Sequence, residues 1–157
     1  MSFAALGLPS PILKALSIQQ YESPTEIQVE AIPAILKGKD VLGIASTGSG
    51  KTASFVLPIL SRLYGRTIHQ DRNIIVLVVV PSRELAVQVS DVFKLFSQAL
   101  PNRIKTLAVY GGVSINPQMI AMQGVHILVA TPGRLIELAD SNAMQLNRIE
   151  TLVLDEA

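Results

Sequence analysis

The chain has 157 residues, 49% hydrophobic and 16% charged, which suits one domain whose sheet is buried rather than facing water. Its formal net charge of +1 argues against a protein that grips nucleic acid mainly by charge. It has no cysteine and two distant histidines, so we expect neither disulfides nor a Cys- or His-based metal site. It has no secretory signal at its start and no apolar run near the roughly 20 residues of a membrane span, so we expect a cytoplasmic protein.

Apolar runs with strand character alternate with helical patterns along the chain. The predicted strands are Val41–Ala45, Ile74–Val80, Ile104–Tyr110, His126–Thr131 and Thr151–Leu154. The predicted helices are Pro11–Gln20 (capped by Ser10), Thr25–Leu36, Ala53–Leu63, Arg83–Leu100 and Pro132–Ala139. Pro33 and Pro58 should kink or shorten their helices, and the polar segment Gly65–Asn73 is predicted to be a mobile loop. This alternation predicts an α/β fold with a mostly parallel sheet and helices on both faces.

A phosphate-binding loop is predicted at Ala45–Thr52, where the sequence reads Ala-Ser-Thr-Gly-Ser-Gly-Lys-Thr. Strand, glycine-bearing loop and helix follow one another, the order that holds a nucleotide triphosphate. The glycines let backbone N–H groups converge on phosphate oxygens, and the helix start adds partial positive charge. Lys51 would reach the β- and γ-phosphates, and Thr52 would bind Mg²⁺. The predicted nucleotide contacts are Ser46, Thr47, Gly48, Ser49, Gly50, Lys51 and Thr52.

The loop departs from the strict pattern at one position and also has an alternative interpretation. The strict pattern has glycine at its first position, whereas this chain has Ala45. The alternative is a Gly/Ser loop followed by an exposed lysine, without a ligand.

An acidic pair, Asp155-Glu156, ends the last predicted strand, about a hundred residues after the phosphate loop. In P-loop NTPases a strand-end aspartate holds Mg²⁺, so Asp155 is assigned to the metal. Glu156 is then placed to orient or deprotonate the attacking water. Lys51, Asp155 and Glu156 are the predicted catalytic residues. A solvated acidic pair at a strand end is the alternative.

Five motifs occur in the order in which one protein family has them. They are Ala45–Thr52, Pro81–Ala86 (Pro-Ser-Arg-Glu-Leu-Ala), Gly111-Gly112, Thr131–Arg134 (Thr-Pro-Gly-Arg) and Asp155–Ala157. Over essentially its whole length the chain resembles the N-terminal RecA-like domain of a DEAD-box ATP-dependent RNA helicase. The resemblance implies a P-loop NTPase domain over residues 1–157, with an adenine-recognition segment and flanking helices in 1–37 and the phosphate-loop core in 38–157. It also implies an RNA-dependent ATPase that uses ATP and Mg²⁺ to unwind short RNA duplexes.

The segment Tyr21–Gln28 resembles the adenine-recognition segment of that family. There the side-chain amide of the residue matching Gln28 reads the adenine edge, since an amide can both donate and accept. By the same resemblance Phe3 is the isolated upstream aromatic, and Tyr21 lies against the base or supports the segment. Thr25 and Gln28 also fit a helix-capping box. Both roles could be combined, with Thr25 capping while Gln28 faces the nucleotide.

The remaining motifs, by resemblance, line an RNA path. The implied RNA contacts are Pro81, Arg83, Gly111, Gly112, Thr131, Gly133 and Arg134. Such contacts reach the sugar-phosphate backbone, so little sequence specificity is expected. A plain strand-end turn for the glycines and an ordinary N-cap for Thr131 are the alternatives.

The sequence departs from the family pattern in three places. Ser82 replaces the usual threonine, and Gln20 stands where a glycine often precedes the aromatic. The chain ends at Ala157, before the final aspartate of the last motif. We therefore expect the second RecA-like domain to be absent and the fragment to bind ATP or ADP weakly without unwinding RNA.

Two other functions stay open at this point. One is another P-loop motor such as a DNA helicase, against which the segment around Gln28 and the Thr131–Arg134 motif argue. The other is a non-catalytic module that binds RNA or a protein partner, which the near-neutral charge disfavours.

Overall fold

The computed structural model describes residues 1–67 and 74–156. The chain forms two compact units. The first unit comprises Met1–Thr67 and Leu95–Arg103, and the second comprises Ile68–Lys94 and Ile104–Ala157 so far as these ranges are described. Most of the predicted loop Gly65–Asn73 lies outside the described residues, as does Ala157.

The first unit is helical. A one-turn 3-10 helix at Phe3–Leu6, which was not predicted, precedes α1 (Ser10–Ile18), α2 (Glu26–Leu36) and α3 (Lys51–Leu63). α2 packs against α3. Pro33 and Pro58 lie inside α2 and α3, and neither helix ends at its proline, so of the two predicted effects, a kink or a shorter helix, the shortening does not occur. Each helix continues for several residues beyond its proline, because the other backbone hydrogen bonds and the burial of Ile32 and Ile59 support it.

The predicted cap of α1 is also wrong. The N-cap is Pro9, and no side chain makes a capping hydrogen bond there. The N–H of Leu13 donates to the carbonyl oxygen of Pro9 at 3.1 Å, so the helical hydrogen bonds begin one residue earlier than predicted. Ser10 is thereby the first residue of the helix itself.

The second unit is built on a parallel sheet. Its elements are β1 (Val76–Val79), α4 (Arg83–Ser97, whose last residues belong to the first unit), β2 (Thr106–Val109), α5 (Ile115–Ala121), β3 (Ile127–Ala130), α6 (Pro132–Asp140) and β4 (Thr151–Leu154). The strand order is β2-β3-β1-β4, and every neighbouring pair is parallel. This confirms the predicted α/β class. Helix α5 was not predicted, because its seven residues carry too short an apolar pattern.

The register of the sheet aligns the carboxyl-terminal residues of its four strands. Val79 pairs with Ala130 on one side and with Leu154 on the other, and Val109 pairs with Ala130. All four residues of β3 are buried, as expected for a strand covered on both faces. The loops that follow the four strands therefore leave the sheet at the same edge.

The predicted strand Val41–Ala45 is wrong. The segment has no strand structure, and Leu42 and Ile44 are 89% and 88% exposed. In the part of the chain that the structure describes, the sheet contains the four strands β1 to β4. An apolar run becomes a strand only where a neighbour supplies hydrogen-bond partners, and composition alone does not reveal that neighbour.

No helix within residues 1–67 and 74–156 is long and apolar enough to cross a bilayer.

The backbone conformation at Gln20 favours glycine, the residue that the resemblance led us to expect there. Gln20 has φ +61°, a left-handed conformation that disfavours residues with a Cβ. Since that conformation costs about 1–2 kcal/mol and extra glycine entropy about 0.5–1 kcal/mol, Gln20→Gly should raise the free energy of unfolding by about 0.5–1 kcal/mol. Urea denaturation measures this change. The matched control Gln19→Gly, at φ −82°, should lower the stability instead; equal effects at both positions would contradict the explanation.

Candidate functional site

The phosphate loop of the first unit has the backbone that its glycines predict. Gly48 and Gly50 have φ +79° and +85°, and the N–H of Ser49 donates to the carbonyl oxygen of Ser46 at 3.3 Å. Gly50 is the N-cap of α3, which starts at Lys51 and has no acidic residue in its first turn. The N–H groups at the start of a helix lack intrahelical acceptors, so this end of α3 favours an anion.

Two features of the loop fit a bound phosphate group. The hydroxyl oxygen of Ser49 is buried and has no hydrogen-bond partner among the residues described. At Gly48 an added Cβ would meet no atom within 4 Å, so ligand atoms can approach the backbone there. With the positive charge of Lys51 and the hydroxyl of Thr52 beside them, these groups suit a triphosphate and its Mg²⁺.

Gln28 connects the upstream segment to the phosphate loop. Its Oε1 accepts a hydrogen bond from the N–H of Thr25 at 3.0 Å, and its Nε2 donates to the carbonyl oxygen of Gly50 at 3.1 Å. The capping box is therefore present in the structure. A side-chain amide has two acceptor lone pairs and two donor hydrogens, so one of each remains for an adenine edge. That contact stays a prediction.

The upstream aromatic residues pack edge to face in the first unit. The ring centroids of Phe3 and Tyr21 lie 6.4 Å apart, and those of Tyr21 and Phe96 lie 5.8 Å apart, both with edge-to-face geometry. Phe3 is 6% exposed and Phe96 is fully buried, whereas Tyr21 is 38% exposed. Phe3 and Phe96 thus support Tyr21, and Tyr21 presents the open ring surface. A nucleotide contact by Phe3 or Tyr21 stays a prediction.

The predicted RNA residues all belong to the second unit and follow the carboxyl ends of its strands. Pro81 and Arg83 come after β1, Gly111 and Gly112 after β2, and Thr131, Gly133 and Arg134 after β3. Ligands of open α/β sheets bind at this edge. The structure thereby brings the three loops to one side of the sheet; their contact with RNA stays a prediction.

Arg83 begins α4 and lies over an aromatic ring. Its guanidinium carbon is 4.8 Å from the ring centroid of Tyr110, a cation–π distance. The hydroxyl of Ser82 accepts a hydrogen bond from the N–H of Leu85 at 3.3 Å, so the serine that replaces threonine still satisfies the start of α4.

Arg134 is enclosed, although the sequence suggested that its guanidinium faces phosphates. It is 5% exposed; its Nε donates to Oε2 of Glu137 at 2.7 Å and its Nη2 donates to the carbonyl oxygen of Val113 at 2.7 Å. Directly before it in the chain, the open space around Gly133 leaves the helix start accessible, and Thr131 occupies the N-cap position without a side-chain capping bond. The backbone and the Thr131 hydroxyl are the groups of this motif that are available to a ligand.

The acidic pair follows β4. The N–H of Asp155 donates to the carbonyl oxygen of Val79 at 3.0 Å, which continues the parallel ladder. Glu156 is exposed and has φ +56°, a rare conformation for a residue with a Cβ. Such backbone conformations cluster at functional sites.

Two polar residues of the second unit that hold other groups of the candidate site were not predicted from the sequence. The side chain of Gln118 in α5 makes hydrogen bonds with both the N–H and the carbonyl oxygen of Tyr110, at 3.2 and 3.1 Å. Glu137 holds Arg134. The spacing of Arg134 and Glu137, three apart on a predicted helix, could have indicated that pair. No sequence signal identifies a glutamine that holds a distant backbone.

The chain is similar to known proteins along nearly its whole length. The chain is 44% identical to DEAD-box ATP-dependent RNA helicase 41 of Arabidopsis thaliana, over 99% of this chain and 32% of that protein. It is 45% identical to ATP-dependent RNA helicase DeaD of Escherichia coli, over 99% of this chain and 24% of that protein. A crystal structure of a DEAD box protein from Methanococcus jannaschii matches 98% of this chain and 41% of that one, at 33% identity and a TM-score of 0.87. The chain thus spans a third or less of the curated relatives.

The family model for DEAD/DEAH box helicases matches residues 25–157, a range that includes the phosphate loop, the three loops at the sheet edge and the acidic pair. The chain therefore belongs to the DEAD/DEAH box helicase family.

Proposed function

We propose that this chain is the ATP-binding and RNA-contacting N-terminal RecA-like domain of an ATP-dependent RNA helicase. The family membership and the names of the relatives support this proposal. Because the chain spans only part of those relatives, helicase activity requires a second RecA-like domain, which completes the clefts for ATP and RNA.

The hydrogen bond from Gln28 to Gly50 is the observation that carries the proposal furthest. It joins Gln28, the residue predicted to bind adenine, to the loop that fits a triphosphate. The first unit therefore contains candidate contacts for both the base and the phosphates of one adenine nucleotide. Gln28 is 2% exposed, which fixes the orientation of its amide. ATP and ADP are the ligands that this arrangement suits.

The catalytic residues have distinct tasks in hydrolysis. Lys51 holds the β- and γ-phosphates and balances the charge that develops on the γ-phosphoryl oxygens. Thr52 and Asp155 would each be a ligand of Mg²⁺, which would supply further charge neutralisation. Glu156 orients the attacking water and accepts its proton as the bond from the water oxygen to the γ-phosphorus forms. The bond between the γ-phosphorus and the bridging oxygen breaks in the same reaction, so that ADP leaves and inorganic phosphate is the other product.

RNA contacts come from the loops after β1, β2 and β3. Arg83 supplies charge, the glycines at 111, 112 and 133 allow close approach of the backbone, and Thr131 offers a hydroxyl. These groups contact phosphates and sugars rather than base edges, so binding depends little on sequence. A cytoplasmic location completes the proposal.

An ATPase assay on a chimera tests the proposal. This chain replaces the matching region of Escherichia coli DeaD, and ATP turnover is measured without nucleic acid, with single-stranded RNA and with single-stranded DNA. We expect RNA to stimulate turnover and DNA not to, because the 2′-hydroxyl distinguishes the two. Equal stimulation by DNA would favour a DNA helicase. Tight RNA binding by the isolated chain, unaffected by ATP, would favour a non-catalytic binding module.

A further inference from the structure

Tyr110–Val113, the glycine loop, is held at its first residue by the side chain of Gln118. The Oε1 atom of Gln118 accepts a hydrogen bond from the N–H of Tyr110 at 3.2 Å, and its Nε2 donates to the carbonyl oxygen of Tyr110 at 3.1 Å. Because both backbone groups of Tyr110 are engaged by one planar amide, the peptide planes on either side of this residue are fixed.

The last residue of the glycine loop is held by Arg134. Its Nη2 donates to the carbonyl oxygen of Val113 at 2.7 Å, and Glu137 accepts from its Nε at the same distance. Glu137 is 59% exposed in its side chain, whereas Arg134 is 5% exposed. A charge-assisted bond at each of two nitrogens fixes the guanidinium plane. Glu137 therefore aims Arg134 at the carbonyl oxygen of Val113.

Between these two points, Gly111 and Gly112 have open surroundings within the part of the chain that the structure describes. A Cβ added at Gly111 or Gly112 would meet no atom within 4 Å, and Gly112 has φ +80°. Glycine loses more conformational freedom on ordering than any other residue, so two adjacent glycines make an ordered loop costly. The hydrogen bonds at Tyr110 and Val113 support the loop at its two ends.

We propose that Gln118 and Glu137 are positioning residues for RNA binding: they hold the glycine loop in its binding conformation before RNA arrives. The proposal rests on the proposed function, in which this loop contacts the RNA backbone. Holding the loop in advance removes an ordering cost from the binding step. Arg134 then acts through the carbonyl oxygen of Val113, and its buried guanidinium is a tether for the loop rather than a ligand of phosphate.

The change in RNA affinity on removal of Glu137 has opposite signs for a positioning role and for direct contact of Arg134 with phosphate. If Arg134 contacted phosphate directly, Glu137→Ala would delete a negative charge near RNA and strengthen binding. If Glu137 positions Arg134, the same change weakens RNA binding by roughly three- to tenfold, the usual range for a lost charge-assisted bond. The control is Asp91→Ala, which removes the same charge from another i,i+3 pair, that of Asp91 with Lys94.

Removal of Gln118 tests the other end of the loop without any change of charge. Gln118→Ala should weaken RNA binding by about tenfold, since it deletes both hydrogen bonds to Tyr110. Gln123→Ala is its control, because Gln123 is an exposed glutamine shortly after α5. The control should bind RNA as the unaltered chain does.

In the chimera with Escherichia coli DeaD, fluorescence anisotropy with a labelled single-stranded RNA measures the affinity, and ¹⁵N relaxation of the Gly111 and Gly112 amides measures loop order without RNA. In Gln118→Ala and Glu137→Ala the order parameters should fall from about 0.85 toward 0.6 or below, with cooperative urea unfolding retained and ATP affinity unchanged. Failure of the unaltered chimera to bind RNA would overturn the proposed function of the loop. RNA binding by the unaltered chimera that both variants retain, tighter binding by Glu137→Ala, or weaker binding with equally rigid glycines would overturn the positioning role alone.

Discussion

Lys51→Ala should lower RNA-stimulated ATP turnover by roughly a hundred- to a thousandfold, the usual cost of one lost electrostatic donor. Lys51 begins α3 directly after the left-handed Gly50, so its ammonium group is the strongest positive charge that the loop itself supplies. Its loss weakens both the binding of the β- and γ-phosphates and the stabilisation of the charge in the transition state. The DeaD chimera and a fluorescent ATP analogue measure turnover and affinity separately.

Glu156→Gln should lower turnover by a similar factor, about a hundredfold or more, and leave nucleotide affinity nearly unchanged. An amide can still hydrogen-bond a water molecule but cannot take its proton. The matched controls are Lys14→Ala, at an exposed lysine of α1, and Glu150→Gln, at an exposed glutamate before β4. Unchanged turnover in either Lys51→Ala or Glu156→Gln would refute the role given to that residue.

The sheet was predictable from the sequence where composition and pairing agree. The runs that became β1, β2, β3 and β4 are short, rich in Val, Ile and Leu, and bounded by turns or by helix starts. The run Val41–Ala45 has the same composition, but a strand also needs a partner with a free edge. That requirement depends on the folded chain and is invisible in a local pattern.

In the candidate site, too, local features were predictable from the sequence and long-range contacts were not. The left-handed conformations at Gly48 and Gly50 were predictable, because a loop that turns backbone N–H groups toward phosphates needs glycine there. The enclosure of Arg134 was not, since its acceptor Val113 lies 21 positions earlier in the chain. Long-range contacts of this kind change the role of a motif residue from ligand to support, and spacing cannot reveal them.

Gly50→Ala should be the most disruptive small substitution in the phosphate loop. At φ +85° any Cβ is strained by about 1–2 kcal/mol. The added Cβ would also lie 2.5 Å from Nε2 of Gln28, well inside contact distance. Gln28 is buried and bonded to both Thr25 and Gly50, so it cannot move without breaking hydrogen bonds worth about 1–3 kcal/mol. We therefore expect a loss of about 3 kcal/mol in the free energy of unfolding, together with weaker ATP binding.

Gly48→Ala isolates the part of this loss that comes from Gln28. Gly48 also has a left-handed backbone, at φ +79°, but its added Cβ would meet no atom within 4 Å. It should therefore cost only the conformational strain of about 1–2 kcal/mol. Urea denaturation of both variants gives the difference, and a double-mutant cycle with Gln28→Ala tests its origin. If the close approach of the Gln28 amide to Gly50 causes the extra loss, Gln28→Ala should relieve much of the defect of Gly50→Ala and none of that of Gly48→Ala. Additive losses in both cycles would show that Gln28 and the loop are energetically independent.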